Sequence, residues 1–486
     1  MKKLTQSVLK FKLEETEKDS QLTSYAGVPL IYELYRKLKI SKIIEKHLKV
    51  KEAGWSENEL IEAIIGITVS GGEHMEDVRM LQGDRAFQSL VEKKGSVSDE
   101  RKSKNTPKAL PSSKALERFL ERFDSGLKKP EGVNAWIPEE SKSLKNLAKV
   151  NREVAKKLIS LSGITTATIE NDATAVFSHK RDALGTYKGG RGYMPVLGSI
   201  AELGLIIGDE FRDGNVPPAY DVKRFFKESL KSLPKSIKQV RTRLDGAYYN
   251  HDFIKYLNDP KKQFGKIEFT ITGELSKSIL EWIEALPEKE WKPLYKIAEK
   301  GKMVTEKEWI EMHWTSANGT RKTMNERSLR TIVTRKKDEQ WELFQEEFHD
   351  EVKKKDRYEV IVTNREWEGD RLIRWHYERG GSIEHLNDRI KNDLAGGVFP
   401  CAEFGANAAW WRIQCLAWNL IRALQLHALP EELRNCHMKR LRFKLLCIAG
   451  KVVKTARRII LKLSRGHPSF NIYKEAREKI FALAVP

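Results

Sequence analysis

The chain has 486 residues, more than one ordinary domain holds, and 40% of them are hydrophobic, as in a folded protein. Lysine and arginine number 88 against 68 aspartates and glutamates, and the net charge of +20 favours a polyanionic partner, nucleic acid or an anionic membrane surface. No apolar run reaches the roughly 18 residues of a membrane span, and no secretory signal is recognisable, so we expect a cytoplasmic protein. The four cysteines form no CxxC pair, which disfavours a zinc module.

The first part of the chain predicts short helices. VPLIYELYRKLKI carries apolar residues at helical spacing, and SENELIEAIIGITVS opens with Ser56 as an N-cap. Residues near 91–111 are rich in polar residues, Gly and Pro and predict a linker. PSSKALERFLERF then predicts a helix with Lys114 and Arg118 facing outward, either a recognition helix of helix-turn-helix type or an ordinary packing helix. We assign residues 1–156 to a helical DNA-binding domain.

From Ile164 onward the hydrophobic pattern changes to that of strands. TTATIEND is rich in β-branched residues, GYMPVLGSIAELGLIIGDEF predicts a pair of strands, and KQVRTRLDGAYYN and KIEFTITGEL predict two more. The helix HDFIKYLND separates the last two. Strands that alternate with helices after an initial hairpin indicate a mixed α/β sheet, and residues 157–274 are predicted to form its first part.

Residues 275–356 interrupt this pattern with a charged, tryptophan-rich stretch. Asn318 and Gly319 predict a tight hairpin turn between two strands, so we interpret the stretch as a β-rich insertion. YEVIVTN then restores the pattern of a buried strand. Residues 357–425 are predicted to complete the interrupted sheet domain.

The tail, residues 426–486, is predicted to be a basic amphipathic helical region. Cations recur through RLRFKLLCIAGKVVKTARRIILKLSRG, and no acid occurs between Glu432 and Glu475. Such a face is either a solvated surface or a contact to the DNA backbone, and the absence of acids favours DNA.

Three acids occupy places that suit chemistry at the edge of a sheet. Asp172 and Asp245 end predicted strands, and Glu384 begins a later run of helix-forming residues. Carboxylates that leave the same sheet edge can meet and hold two divalent ions, which is the usual arrangement for in-line phosphodiester displacement. The alternative is that each aspartate only forms a turn or caps a helix.

These segments resemble the DDE transposases of bacterial insertion sequences, the cut-and-paste group. The resemblance is carried by TIENDAT, GGRGYMPVLGSI, RTRLDGAYYN, IEHLNDRIKNDL and FGANAAWWRIQCLAWNL. The separations, 245 − 172 = 73 and 384 − 245 = 139, agree with an insertion between the second Asp and the Glu. The resemblance implies an α/β, RNase H-like mixed sheet interrupted by a β-rich insertion, with a helical N-terminal domain and a helical C-terminal tail.

The resemblance also implies an activity: metal-dependent DNA cleavage at transposon ends followed by strand transfer. Asp172, Asp245 and Glu384 would hold two Mg²⁺ ions, with Mn²⁺ able to substitute. The partners would be the terminal inverted repeats and target DNA, bound by a homodimer at the bacterial nucleoid. Two competing functions stay open: a catalytically silent DNA-binding regulator derived from a transposase, and an RNase H-like nuclease.

The helix signature of this family places a Tyr, an Arg, the Glu and a Lys on one face. Tyr377, Glu384 and Lys391 fit, since they are spaced by 384 − 377 = 7 and 391 − 384 = 7 residues, and the first and last are expected to bind DNA phosphates. Gly380 stands where the Arg is expected, and Arg379 comes one residue early. Either the helix kinks and Arg379 reaches the site, or this role is lost.

The insertion supplies a candidate for stacking a flipped base. Trp314 lies beside the predicted hairpin turn, and members of the family that form a DNA hairpin stack a base on an aromatic side chain. The alternative is burial of Trp314 in the insertion's own core.

Overall fold

The computed structural model describes residues 21–92, 110–127, 135–180, 183–297, 303–312, 329–336, 356–455 and 458–485. The helices are α1 Pro29–Lys37, α2 Ile40–His47, α3 Glu57–Ser70, α4 Val78–Gly83, α5 Arg85–Val91, α6 Ser113–Glu121, α7 Lys142–Ser162, α8 Val222–Leu230, α9 His251–Asn258, α10 Lys277–Glu284, α11 Gly369–Tyr377, α12 Ile383–Asp388, α13 Phe404–His427, α14 Glu431–Arg434, α15 Met438–Leu441 and α16 Phe470–Ala482. The strands are β1 Leu22–Thr23, β2 Thr166–Ala173, β3 Val176–Phe177, β4 Leu184–Gly185, β5 Arg191–Tyr193, β6 Val196–Ile200, β7 Leu205–Glu210, β8 Gln239–Leu244, β9 Glu268–Gly273, β10 Lys292–Ile297, β11 Met303–Met312, β12 Arg330–Lys336, β13 Arg357–Thr363, β14 Gly450–Lys454 and β15 Ile459–Lys462.

The chain divides into two compact units. The helical unit consists of Met1–Asp124, Glu140–Leu147 and Asn392–Val485, and the sheet unit consists of Ser125–Glu139 and Ala148–Lys391. This division differs from the five consecutive ranges of the sequence analysis, because the first and last parts of the chain belong to the same unit.

A nine-stranded mixed sheet is the centre of the sheet unit. Its order is β10-β11-β12-β13-β9-β8-β2-β6-β7, and β8 pairs in parallel with both β2 and β9. The neighbouring pairs β2–β6 and β6–β7 are antiparallel, so TTATIEND and the GYMPVLGSIAELGLIIGDEF hairpin form the strands that their alternation predicts. Parallel strands are covered on both faces, and the middle of β2 is accordingly buried throughout.

The strands of the predicted insertion extend this same sheet. β10, β11 and β12 lie within residues 275–356, and β12 pairs with β13, which pairs with β9. Trp309 and Ile332 from these strands pack with Leu372 and Ile373 of α11. β10 is an outer strand of the sheet, contains Pro293, and changes register against β11 between Leu294 and Tyr295. The predicted turn at Asn318 and Gly319 lies outside the described residues.

The segment around Glu384 is a broken helix, as in the first of the two alternatives that the sequence left open. The expectation that Tyr377, Glu384 and Lys391 share one face of a continuous helix is therefore wrong. α11 ends at Tyr377, a 3₁₀ turn covers Glu378–Gly381, α12 follows, and a π-helical turn covers Arg389–Asp393. Gly380 and Gly381 explain the break, because each disfavours helix by roughly 1 kcal/mol relative to alanine.

The helical unit is built around α13. Trp410 and Trp411 are fully buried there, and nearly all of the helix is buried, including polar residues such as Arg412 and Gln414. The predicted N-cap of α3 is confirmed, since Ser56 Oγ accepts a hydrogen bond from the Glu59 N–H at 3.3 Å. Within the described ranges, no helix is both long and apolar enough to traverse a bilayer.

The prediction of a continuous helical tail is wrong. In the middle of the tail, β14 and β15 pair antiparallel with each other, and β1 from the start of the chain pairs with β14 to complete a three-stranded sheet. The cause is the β-branched residues Val452, Val453, Ile459 and Ile460, which favour strands although the cations around them recur as on a helix. Only α16, near the end, is a long helix in this part.

Candidate active site

Asp172 and Asp245 lie side by side at the carboxyl ends of two parallel strands. The β2–β8 pairing sets Ile169 opposite Thr242, and three residues further along the chain come Asp172, within β2, and Asp245, directly after β8. Their separation of 245 − 172 = 73 residues therefore equals the register of the strand pair, 242 − 169 = 73. Asp245 also caps the turn that follows, because its Oδ1 accepts the Ala247 N–H at 3.1 Å. One aspartate thus serves both as a turn former and as a member of the pair.

Glu384 comes to these aspartates from α12. Asn387, three residues after Glu384, donates from Nδ2 to Asp172 Oδ2 at 2.9 Å, which fixes α12 against the end of β2. The Glu384 side chain is 54% exposed, and its Oε1 lies 3.6 Å from Arg379 Nη2. The break in the helix therefore lets Arg379 reach the glutamate, which is the first of the two alternatives given by the sequence.

The charges of the three carboxyl groups act on one another. Burial, together with the negative charges of Asp245 and Glu384, raises the pKa of Asp172 to about 7, while the positive charge of Arg379 opposes the shift. Burial is also the main cause of the raised pKa of Asp245, again opposed by Arg379 and reinforced by Glu384. Carboxyl groups whose pKa values are raised by burial and by one another's negative charge are frequent in functional sites.

The donor set suits a hard divalent cation, although the side chains are not gathered into a finished ligand cage. Among the described residues, no three His, Cys, Asp or Glu side chains are arranged to hold a metal ion as they stand. Glu384 is paired with Arg379, which supplies the positive charge that the carboxylates require. All the candidate ligands are oxygens, and the buried Asn387 Oδ1 beside Asp172 has no hydrogen-bond partner. Oxygen ligands of this kind fit Mg²⁺ or Mn²⁺.

Lys391 lies near the carboxylates, in the π-helical turn. Burial lowers its pKa, the charge of Lys188 lowers it further, and Asp388 and Asp172 oppose the shift. Its predicted contact with a DNA phosphate stays a prediction.

The half-buried side chain of Tyr377 is bonded to other residues of the sheet unit. Its hydroxyl donates to Glu359 and shares a hydrogen bond of 2.9 Å with Thr334 Oγ1, while Lys307 Nζ lies 4.0 Å from the centre of the ring. Tyr377 and Lys391 do not share the single helical face that was expected. The DNA contact of Tyr377 also stays a prediction.

The remaining predicted DNA contacts lie elsewhere in the chain. Lys114 and Arg118 are exposed on α6, whose N-cap Ser112 Oγ accepts from the Ala115 N–H at 3.3 Å. Trp314 lies outside the described residues. Of the other tryptophans in the predicted insertion, Trp291 and Trp309 are buried, 7% exposed each.

Sequence reasoning missed the polar residues that surround the three acids. Asn387, Ser382, Glu170 and Arg243 all bond within or beside the site. Two of them carried a signal: Glu170 and Arg243 precede Asp172 and Asp245 by two residues each, so they share a sheet face with the acids.

A mixed sheet with acids at the ends of adjacent parallel strands defines a candidate metal-dependent active site. Residues 6–485 match the family model described as transposase DDE domain, group 1. The chain belongs to this family of DDE transposases, which generally use divalent metal ions. Among solved structures, a piggyBac transposase synaptic complex with hairpin DNA is similar at 10% identity and a TM-score of 0.39, over 81% of this chain and 72% of that chain. No curated protein matches the sequence.

Proposed function

We propose that this protein is the transposase of an insertion sequence, which cleaves DNA at the transposon ends and joins the freed 3′ ends to target DNA. The observation that carries the proposal is the register of β2 and β8, which sets Asp172 beside Asp245, together with the electrostatic coupling of both to Glu384. Three widely separated acids meeting in this way are unexpected for a protein that only binds DNA.

In the proposed reaction Asp172, Asp245 and Glu384 would hold two Mg²⁺ ions, for which Mn²⁺ could substitute. When bound, such ions activate the attacking oxygen and stabilise the leaving oxygen of the phosphodiester. Asn387 keeps the Asp172 carboxylate oriented, because it donates to Oδ2. Arg379 balances the acids in the protein without metal, and Arg379 and Lys391 then bind phosphates beside the cut.

The strand order supports an RNase H-like arrangement of the catalytic sheet. β2, β6 and β7 form an antiparallel series, and β8 and β9 continue in parallel on the other side of β2. In such a sheet the first and fourth strands are adjacent, and here these are β2 and β8, which lead to Asp172 and Asp245.

The proposed partners are the terminal inverted repeats and target DNA. The net charge of +20 supports a polyanionic partner, and exposed Lys114 and Arg118 on α6 are proposed to contact the DNA backbone. Because two ends must be cut and joined together, we propose a homodimer assembled on DNA.

The proposal is tested by removing one carboxylate. In Asp245→Ala, cleavage of DNA that contains the transposon ends should fall by more than about 10³-fold, as for other residues that act as a catalytic unit. End binding should remain within a few-fold of wild type. Asp252→Asn is the matched control, because Asp252 is an exposed acid of the same unit paired only with Lys223 at 2.6 Å among the ion pairs described.

The outcome also separates the competing functions. A wild-type protein that binds the ends but cleaves nothing in Mg²⁺ or Mn²⁺ would be a silent regulator. A preference for RNA–DNA hybrid would indicate a nuclease. Surviving cleavage in Asp245→Ala would contradict the assignment of the site.

A further inference from the structure

A buried ion pair lies next to the acids on the same face of the sheet. Glu170 precedes Asp172 on β2 and Arg243 precedes Asp245 on β8 by two residues each, so each shares the face of the acid that follows it. Arg243 Nε donates to Glu170 Oε1, and their side chains are only 6% and 0% exposed. The ion pair therefore joins the two strands directly behind the two aspartates.

Arg243 also binds the irregular segment that leads to Glu384. Its Nη1 donates to the Trp375 carbonyl oxygen at 2.7 Å and to Glu378 Oε2 at 2.6 Å. The Ser382 hydroxyl, two residues before Glu384, donates to Glu170 Oε1 at 2.7 Å. Through these bonds a single buried pair connects both strands of the aspartates with the segment of the glutamate.

This segment depends on side-chain bonds because its backbone is weakly restrained. Gly380 and Gly381 interrupt the helix, and the 3₁₀ turn has fewer and poorer backbone hydrogen bonds than an α-helix. Glu384 itself is exposed and has Arg379 as its ion-pair partner. The position of its carboxylate thus depends on where Ser382 and Glu378 are held before it, as well as on the bond of Asn387 after it.

We propose that Arg243 and Glu170 are positioning residues that hold the segment of Glu384 beside Asp172 and Asp245, from where the three carboxylates can gather around metal ions. The inference rests on the proposed function and deepens it. Both side chains are too buried to contact DNA, and they act through Ser382, Glu378 and the backbone of the segment.

The test compares Arg243→Lys with wild type in the full-length protein. Lysine keeps the positive charge, but its single ammonium group cannot replace a guanidinium that bonds in several directions. We expect cleavage of the transposon ends to fall about 10–100-fold, as for other residues that orient metal ligands, and Mn²⁺ affinity in calorimetry to fall similarly. End binding and the circular dichroism spectrum should not change. Raising the metal concentration should restore part of the rate, which it would not do for a damaged fold.

Arg241→Lys is the matched control. Arg241 lies two residues earlier on the same strand and is also paired with a glutamate, Glu268, at 3.1 Å, but its described bonds do not reach residues 378–382. Its cleavage rate and Mn²⁺ affinity should equal those of wild type.

Two further variants keep the test independent of folding defects. Ser382→Ala leaves both buried charges in place and removes only the hydroxyl that joins the segment to Glu170, so a smaller loss of about 10-fold is expected in both measurements. Glu170→Gln combined with Arg243→Lys should be no slower than the slower single variant, because both residues act through the same segment.

The outcomes distinguish this inference from the function on which it rests. If wild type cleaves DNA and binds Mn²⁺ while Arg243→Lys and Ser382→Ala do so equally well, the positioning role is overturned and the transposase remains. If wild type neither binds Mn²⁺ nor cleaves, the proposed function fails and the positioning role fails with it. A loss confined to the variants of Arg243, Glu170 and Ser382 supports it.

Discussion

The three acids of the site are placed in two different ways. Asp172 and Asp245 follow from regular strand pairing, because the backbone register of β2 and β8 alone sets them side by side. Glu384 lies just after the break in a helix, and its position depends on side-chain hydrogen bonds made by Arg243, Ser382 and Asn387. The comparison teaches that substitutions in the segment around Glu384 should change the site more readily than substitutions on the strand surfaces.

The largest effect on stability is expected at His376, which holds α11 against β9 just before the break in the helix. Its ring nitrogens share hydrogen bonds with Thr270 at 3.0 Å and Thr272 at 3.1 Å, both on β9. Burial, reinforced by the charge of Arg379, lowers the pKa of His376 to about 3.

Acidification should therefore destabilise this anchor. Between pH 6.5 and 3 the unfolded histidine binds a proton that the folded one excludes, so the free energy of unfolding falls as the pH falls. By pH 4 the loss attributable to His376 is about 3 kcal/mol. Urea unfolding of wild type and His376→Gln at pH 7 and pH 4 measures it, and equal pH slopes for the two proteins would contradict the prediction.

A smaller effect is expected at Tyr377, the last residue of α11. Tyr377→Phe removes the hydroxyl that bonds Thr334 and Glu359, and the free energy of unfolding should fall by about 1 kcal/mol. Denaturant unfolding gives this value, and affinity for the transposon ends is measured on the same variant. Reduced affinity for the ends at unchanged stability would contradict this structural role. Tyr377 would then contact DNA, as its position in the family signature implies.

The smallest effect is expected at Gly381, in the break itself. A Cβ added there meets no atom within 4 Å. Gly381→Ala should therefore raise the free energy of unfolding by about 0.5–1 kcal/mol, because alanine lowers the conformational entropy of the unfolded chain. Thermal unfolding measures the change.

Gly198→Ala on β6 is the contrasting control for Gly381→Ala. A Cβ there would lie 2.6 Å from Ser229 Oγ and 2.7 Å from Asn171 Oδ1, so this variant should be destabilised. A destabilised Gly381→Ala would mean that the segment needs the freedom of glycine.

The sequence predicted what regular periodicity encodes. The strands that carry Asp172 and Asp245, the hairpin of β6 and β7, and the Ser56 cap all follow from local patterns. The parallel pairing of β2 with β8 was implicit in the positions of the acids at two strand ends.

Two parts could not be predicted, for different physical reasons. In the tail, β-branched residues outweighed a helix-like recurrence of cations, and the partner strand β1 lies more than 400 residues away in sequence. Around Glu384, the path of the chain depends on long-range side-chain bonds, such as Ser382 to Glu170, which no local pattern reveals.

The outer strand β10 has a consequence for self-association. The open side of an edge strand offers free backbone groups to the strands of another molecule, a common route to aggregation. Pro293 has no N–H to offer, and the change of register between Leu294 and Tyr295 makes the strand irregular. Among the described strands, this edge of the sheet is therefore a poor template for intermolecular β-pairing.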